Sequence, residues 1–197
     1  EDPHEPPARP FHVEALPEEA AREAVRLARR RALPLEGYTA DGGFFVEGDS
    51  PLLEAHQRLL GVEAEGADLL RLSSPLVRLQ VLAEGEAPVE RLLEALPRGL
   101  QAHVAESPKM PGVRFVSLTK EGVSKLSAAR LVAEAYGLPL SECAMVGDGE
   151  NDLELLRAVG VGIAMGNAPP SVKRAAQRVV APVEACGLAE ALRLLRG

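Results

Sequence analysis

Between Leu16 and Pro34, apolar residues recur at three- and four-residue spacing. Ala20, Ala24, Leu27 and Ala28 share one face of a helix that opens on Pro17 and two acids. The stretch LEGYTADGGFFVEG then predicts a hairpin, with Asp41-Gly42-Gly43 as its turn. SPLLEAHQRLLG predicts a helix with Ser50 as N-cap, Pro51 at its first position and Gly61 just beyond its end. PLVRLQVLA alternates apolar and polar residues, the pattern of a half-buried strand. PVERLLEALPRG reads as a helix, and LQAHVAES and GVRFVSL as two more strands joined by the turn-rich SPKMPG. From Phe11 to Thr119 the expectation is therefore an α+β layer, a sheet with helices on one side.

The pattern changes at Glu121. SKLSAARLVAEAYGLP predicts a helix ending at Gly137 and Pro139. CAMVG is short and wholly apolar, which predicts a central parallel strand. ENDLELLRAVG follows as a helix, VGIAM as a second buried strand and APPSVKRAAQ as a third helix. RVVAPV reads as an edge strand and LAEALRLLR as a closing helix. Helix and buried strand in alternation describe half of a doubly wound α/β sheet. Such sheets bind ligands at the carboxyl ends of their strands.

Composition narrows the function. Hydrophobic residues make up 46% of the chain, enough for a real core. A net charge of −7 argues against a nucleic-acid or membrane-surface partner, since both are polyanions. No apolar run approaches the roughly 20 residues of a spanning helix. The acidic, proline-rich start EDPHEPPARP has no apolar core of a signal peptide, and residues 1–10 read as a linker or tail. Cys143 and Cys186, far apart and beside apolar residues, are expected to be buried reduced thiols of a cytoplasmic protein. Four scattered histidines show no ligand spacing.

Chemistry concentrates in VGDGENDLELL, which packs Asp148, Glu150 and Asp152 into five positions. Carboxylates so close repel unless a cation or a set of donors holds them. Asp148 lies just past the strand CAMVG, at the carboxyl edge of the sheet. Asn151 and Asp152 open the next helix, where free N–H groups favour an anion. A hard cation takes carboxylate oxygens while amides take phosphate oxygens, so the cluster fits a Mg²⁺-bound phosphate. Lys125 opens the preceding helix and falls at the same edge, a point charge for phosphate. An EF-hand is excluded: the sixth position from Asp148 is Leu153 and the twelfth is Val159. GVGIAMG has the wrong glycine spacing for a dinucleotide loop.

These pieces resemble the haloacid dehalogenase-like phosphatases, in particular the Cof-type branch acting on sugar phosphates and other small phosphorylated metabolites. The resemblance is carried by GVSK ending at Lys125, MVGDGENDLELL from Met145 and GIAMGNAPPSVKRAA from Gly162. It implies a Rossmann-like core over residues 120–197, its C-terminal part, preceded by a large α+β cap domain over residues 1–119. It implies that Asp148 is a Mg²⁺ ligand, that Lys125 and Asn151 bind phosphate, and that Asp152 supports the metal shell or Lys125. Gly166-Asn167 belongs to a family-typical loop with a structural role.

The chain also departs from that pattern. The family's nucleophile is the first Asp of a DxDGT motif, and its second Asp is the general acid/base. No DxD occurs in these 197 residues. Without the nucleophile no aspartyl-phosphate forms, so the chain alone is expected to be inactive. The nucleophile is expected in an N-terminal segment of the same protein, cleaved, unseen or present as another polypeptide. A non-catalytic phosphate- or partner-binding remnant and a phosphomutase of the same superfamily are the other expectations.

Overall fold

Proline, serine and glycine set the element boundaries in the computed structural model, which describes residues 10–196. The linker expected over residues 1–10 thus lies, save for Pro10, outside the described residues. The chain divides into two compact units, one ending at Glu121 and the other beginning at Gly122.

In the first unit, α1 (Glu18–Arg30) starts after Pro17, with acids in its first turn and arginines in its last, both favourable to the helix dipole. The strands β1 (Leu35–Thr39) and β2 (Phe44–Glu47) form the expected hairpin. Helix α2 (Pro51–Leu60) is capped by Ser50, whose side chain accepts from the Leu52 N–H, and ends on left-handed Gly61. The strands β3 (Glu65–Gly66), β4 (Leu76–Glu84), β5 (Leu100–Ser107) and β6 (Met110–Lys120), with α3 (Ala87–Glu94) between β4 and β5, complete it. The sheet order is β3-β2-β1-β4-β6-β5.

Two expectations change here. β4 is buried from Leu79 to Ala83 rather than on one face only. The helices also lie on both faces. Leu79, Val81, Ala83, Val116 and Leu118 pack with α1 and α3, whereas Leu82, Phe115 and Val46 pack with Leu53 of α2. Alternate residues of a strand face opposite ways, so α2 covers the second face. Gln80 of β4 and its neighbour Glu36 of β1 are polar, yet both are buried on that face. Glu36 is fully buried. Its carboxyl accepts from Tyr38 Oη and Gln80 Nε2, both at 2.9 Å, and lies 2.6 Å from His56 Nδ1.

The second unit holds α4 (Lys125–Ala135), β7 (Ala144–Gly147), α5 (Leu153–Ala158), β8 (Val161–Ala164), α6 (Pro170–Ala175), β9 (Arg178–Val179) and α7 (Gly187–Leu195). Its three strands are parallel, in the order β7-β8-β9. Leu156, Ala164 and Val172 form a core on the α5–α6 side, while Ile163, Val180 and Ala191 form one on the α7 side. Among the described residues the middle strand is β8, and the CAMVG strand, expected to be central, lies beside it. Among the described residues β7 is an edge, and Ala144 on it is exposed. The thiols differ too: Cys143 is half-buried and Cys186 exposed. The architecture is mixed α/β, and no helix among the described residues is long and apolar enough to cross a membrane.

Candidate active site

At the carboxyl end of β7 the chain turns through Asp148 and Gly149 into a short 3₁₀ turn, Glu150–Asp152, before α5 begins at Leu153. Asn151 and Asp152 therefore sit in a tighter turn than the α-helical start expected. The turn folds back because Asp152 satisfies the backbone it leaves. Its Oδ2 accepts from the N–H groups of Asp148 at 3.1 Å and Gly149 at 3.0 Å. Glycine is required on the strand below: a Cβ on Gly147 would lie 2.7 Å from Asp152 Oδ2.

Lys125 reaches the same turn from the first position of α4. Ser124 and Ser127 cap that helix reciprocally, each side chain bonding the other's backbone N–H. The Lys125 ammonium donates to Asp152 Oδ1 at 2.5 Å. The pair is asymmetric: the Asp152 side chain is 3% exposed and that of Lys125 47%. Burial pushes the Asp152 carboxyl up, but the Lys125 ammonium and the two backbone amides outweigh it and hold it below the ordinary value of 3.8.

Asp148 is exposed. It accepts from Asn167 Nδ2 at 3.2 Å, and Asn167 Oδ1 in turn accepts from the Val183 N–H at 3.1 Å. Asn151 is exposed and makes no side-chain hydrogen bond among the described residues. Glu150, the third acid of the cluster, accepts from the Ser171 hydroxyl of α6. Lys125, Asp148, Asn151 and Asp152 thus come together within one unit at one sheet edge.

Of the two carboxylates expected to hold a metal, Asp152 spends three lone pairs on Lys125 and the backbone, while Asp148 faces out. Among the described residues no group of three His, Cys, Asp or Glu side chains could cage an ion. One outward carboxylate with room for water still suits Mg²⁺. That ion keeps several waters and takes one or two carboxylates beside substrate phosphate. Sequence reasoning missed the bonds of Asn167 and Ser171, since both depend on where later loops land. The adjoining MGNA stretch was the available signal.

Comparison with known proteins shows the family. The sequence profile of the haloacid dehalogenase-like hydrolases matches residues 8–192. A Haemophilus influenzae protein provisionally named a phosphatase is 27% identical over 91% of the chain, which spans 66% of that relative's length. An HMP-PP phosphatase of Cronobacter sakazakii is 31% identical over 67% of the chain and 48% of its own. Among solved structures, the phosphatase BT1666 of Bacteroides thetaiotaomicron superposes with a TM-score of 0.76 at 27% identity, over 93% of this chain and 66% of its own. The subclass IIB sugar phosphatase BT4131 shares the fold at 22% identity and a TM-score of 0.75, over 92% of this chain and 68% of its own. With the matched profile spanning most of its length, the chain belongs to the haloacid dehalogenase-like hydrolases.

Proposed function

We propose that this chain carries the metal- and phosphate-binding edge of a Mg²⁺-dependent phosphomonoester hydrolase of the Cof type, acting on small phosphorylated metabolites such as sugar phosphates. The observation that carries the reading is the Lys125–Asp152 pair beside outward-facing Asp148 and unbonded Asn151. The exposed Lys125 ammonium is positioned to neutralise charge on a phosphoryl group, and Asp152 fixes its direction. Asn151 offers an amide N–H to a phosphate oxygen. Asp148 offers the carboxylate oxygen for Mg²⁺, with Asp152 as its support through the turn. The ion, when bound, supplies Lewis-acid neutralisation of phosphate charge.

The nucleophilic and acid/base carboxylates are assigned to a part of the protein outside these 197 residues. Support comes from β7, an edge strand of a parallel sheet whose apolar residues are incompletely covered. Parallel strands are ordinarily flanked on both sides. A segment pairing along β7 would bring its own carboxyl end beside Asp148.

The test is a Mg²⁺-dependent assay on the protein at its natural length, over a panel of phosphomonoesters. Lys125→Ala and Asp148→Asn should each lower kcat/KM by about 10²–10³-fold, with Asp148→Asn also raising the Mg²⁺ requirement. Absence of turnover on every phosphomonoester would leave the phosphate-binding remnant, and transfer to a second hydroxyl of the substrate would make the enzyme a mutase.

A further inference from the structure

Asn167 joins Asp148 to the backbone that leads into α7. It follows β8 in the turn Met165–Ala168. That turn is fixed at both ends: the Met165 N–H donates to Gly147 O at 3.0 Å and the Gly166 N–H to Ala181 O at 3.2 Å. A Cβ on Gly166 would lie 2.6 Å from Pro182 N, so the turn lies directly on the 180–182 backbone. Its amide orientation follows from its neighbours. One side offers a backbone N–H, from Val183, which only Oδ1 can accept; the other is a carboxylate, which only Nδ2 can serve.

We infer that Asn167 is a positioning residue that ties down Asp148 Oδ2, leaving Asp148 a one-oxygen donor and thereby selecting Mg²⁺ over Ca²⁺. This rests on the metal-binding role proposed for Asp148. A carboxylate with one oxygen held by an anchored amide is hindered from turning both oxygens onto one ion. Mg²⁺ demands near-octahedral geometry with single-oxygen donors, whereas Ca²⁺ readily accepts both oxygens of a carboxylate at longer distances. A tether on one oxygen therefore costs Mg²⁺ nothing and denies Ca²⁺ its favoured mode. The anchor matters as much as the donor, because without the Val183 N–H the amide could rotate away.

The experiment is calorimetric titration of the protein at its natural length with Mg²⁺ and, separately, Ca²⁺. Asn167→Ala should weaken Mg²⁺ about tenfold, the lower end for partners behind a metal ligand because both side chains are exposed, while Ca²⁺, which loses the same positioning but regains the two-oxygen mode, stays within about twofold or tightens. A second variant, Val183→Pro, removes only the anchoring N–H. Val183 is 60% exposed, and Pro182 already has the extended backbone (φ −66, ψ 169) that a following proline requires. It should shift the Mg²⁺/Ca²⁺ ratio in the same direction, by roughly threefold, and it carries the test if Asn167→Ala does not fold. Equal weakening of both ions, or no change in either, overturns the inference and reduces Asn167 to a loop strut. Failure of the unsubstituted protein to bind Mg²⁺ instead overturns the role proposed for Asp148, and with it the basis of the inference.

Discussion

Asp152 is the residue around which the site is built, and its charge is held by one half-exposed ammonium and two amides. Because its folded pKa lies below the ordinary 3.8, the ionised form stabilises the fold at neutral pH. That contribution is complete above the unfolded value and disappears as pH falls through the lower folded one. Asp152→Asn should therefore cost about 2 kcal/mol at pH 7, and the gap from the parent should narrow as urea midpoints are measured from pH 4 towards pH 2. A gap that widens on acidification would refute this electrostatic account. That Lys125 and Asp152 fall at one sheet edge was legible in their places relative to β7 and its helices, while the support of Lys125 by Asp152 was one of two roles that the family resemblance implied. The tether from Asn167 was not legible, since a hydrogen bond between loops records tertiary placement and leaves no periodicity.

Among elements, the boundaries punctuated by proline, serine and glycine were readable in advance: Pro17, the Ser50 cap and Gly61 lie where the sequence placed them. What alternation could not convey was burial on both faces of β4, because Gln80 and Glu36 look solvent-facing until their partners are known. The joint before α7 was equally opaque. Cys186 holds a left-handed backbone (φ 57, ψ 37) between a 3₁₀ turn and that helix, a conformation that disfavours any side chain with a Cβ. The exposed thiol gives nothing visible in return. Cys186→Gly should raise stability by about 0.5–1 kcal/mol, the relief of strain less the extra freedom of the unfolded chain. A lower denaturant midpoint would show that the thiol contributes packing.

For the whole molecule, the two units differ in how completely they are closed. Both sheets have edge strands among the described residues, but the first is covered on both faces, whereas the second exposes Leu188, Leu192 and Leu195 along α7 and has the parallel strand β7 at its edge. A fragment of residues 10–121 should unfold cooperatively as a monomer. A fragment of residues 122–196 should self-associate in sedimentation velocity and bind a hydrophobic dye, as open edges and apolar patches do. A monodisperse 122–196 monomer without dye binding would remove the argument for a further strand along β7. The α/β character of this half was clear from its helix–strand alternation. Its edge was not, since CAMVG reads as central whether or not a neighbour is present.

The buried carboxyl of Glu36 has a consequence for how the first unit reaches its structure. Leu35 faces the α1–α3 core and Glu36 the opposite side, where Tyr38, Gln80 and His56 meet it. A hairpin slipped by one residue would exchange the two and bury the acid against leucine and alanine with no partner. Correct pairing is thus rewarded and misalignment penalised at a single position, so the residue works as a proofreader of the folding route. Glu36→Met is expected to lower equilibrium stability by about 1–3 kcal/mol, since it leaves buried Gln80 and His56 without their acceptor, and to add a slow refolding phase from misaligned chains. Single-exponential refolding of that variant in stopped-flow fluorescence or circular dichroism would show that the strands find their alignment without it.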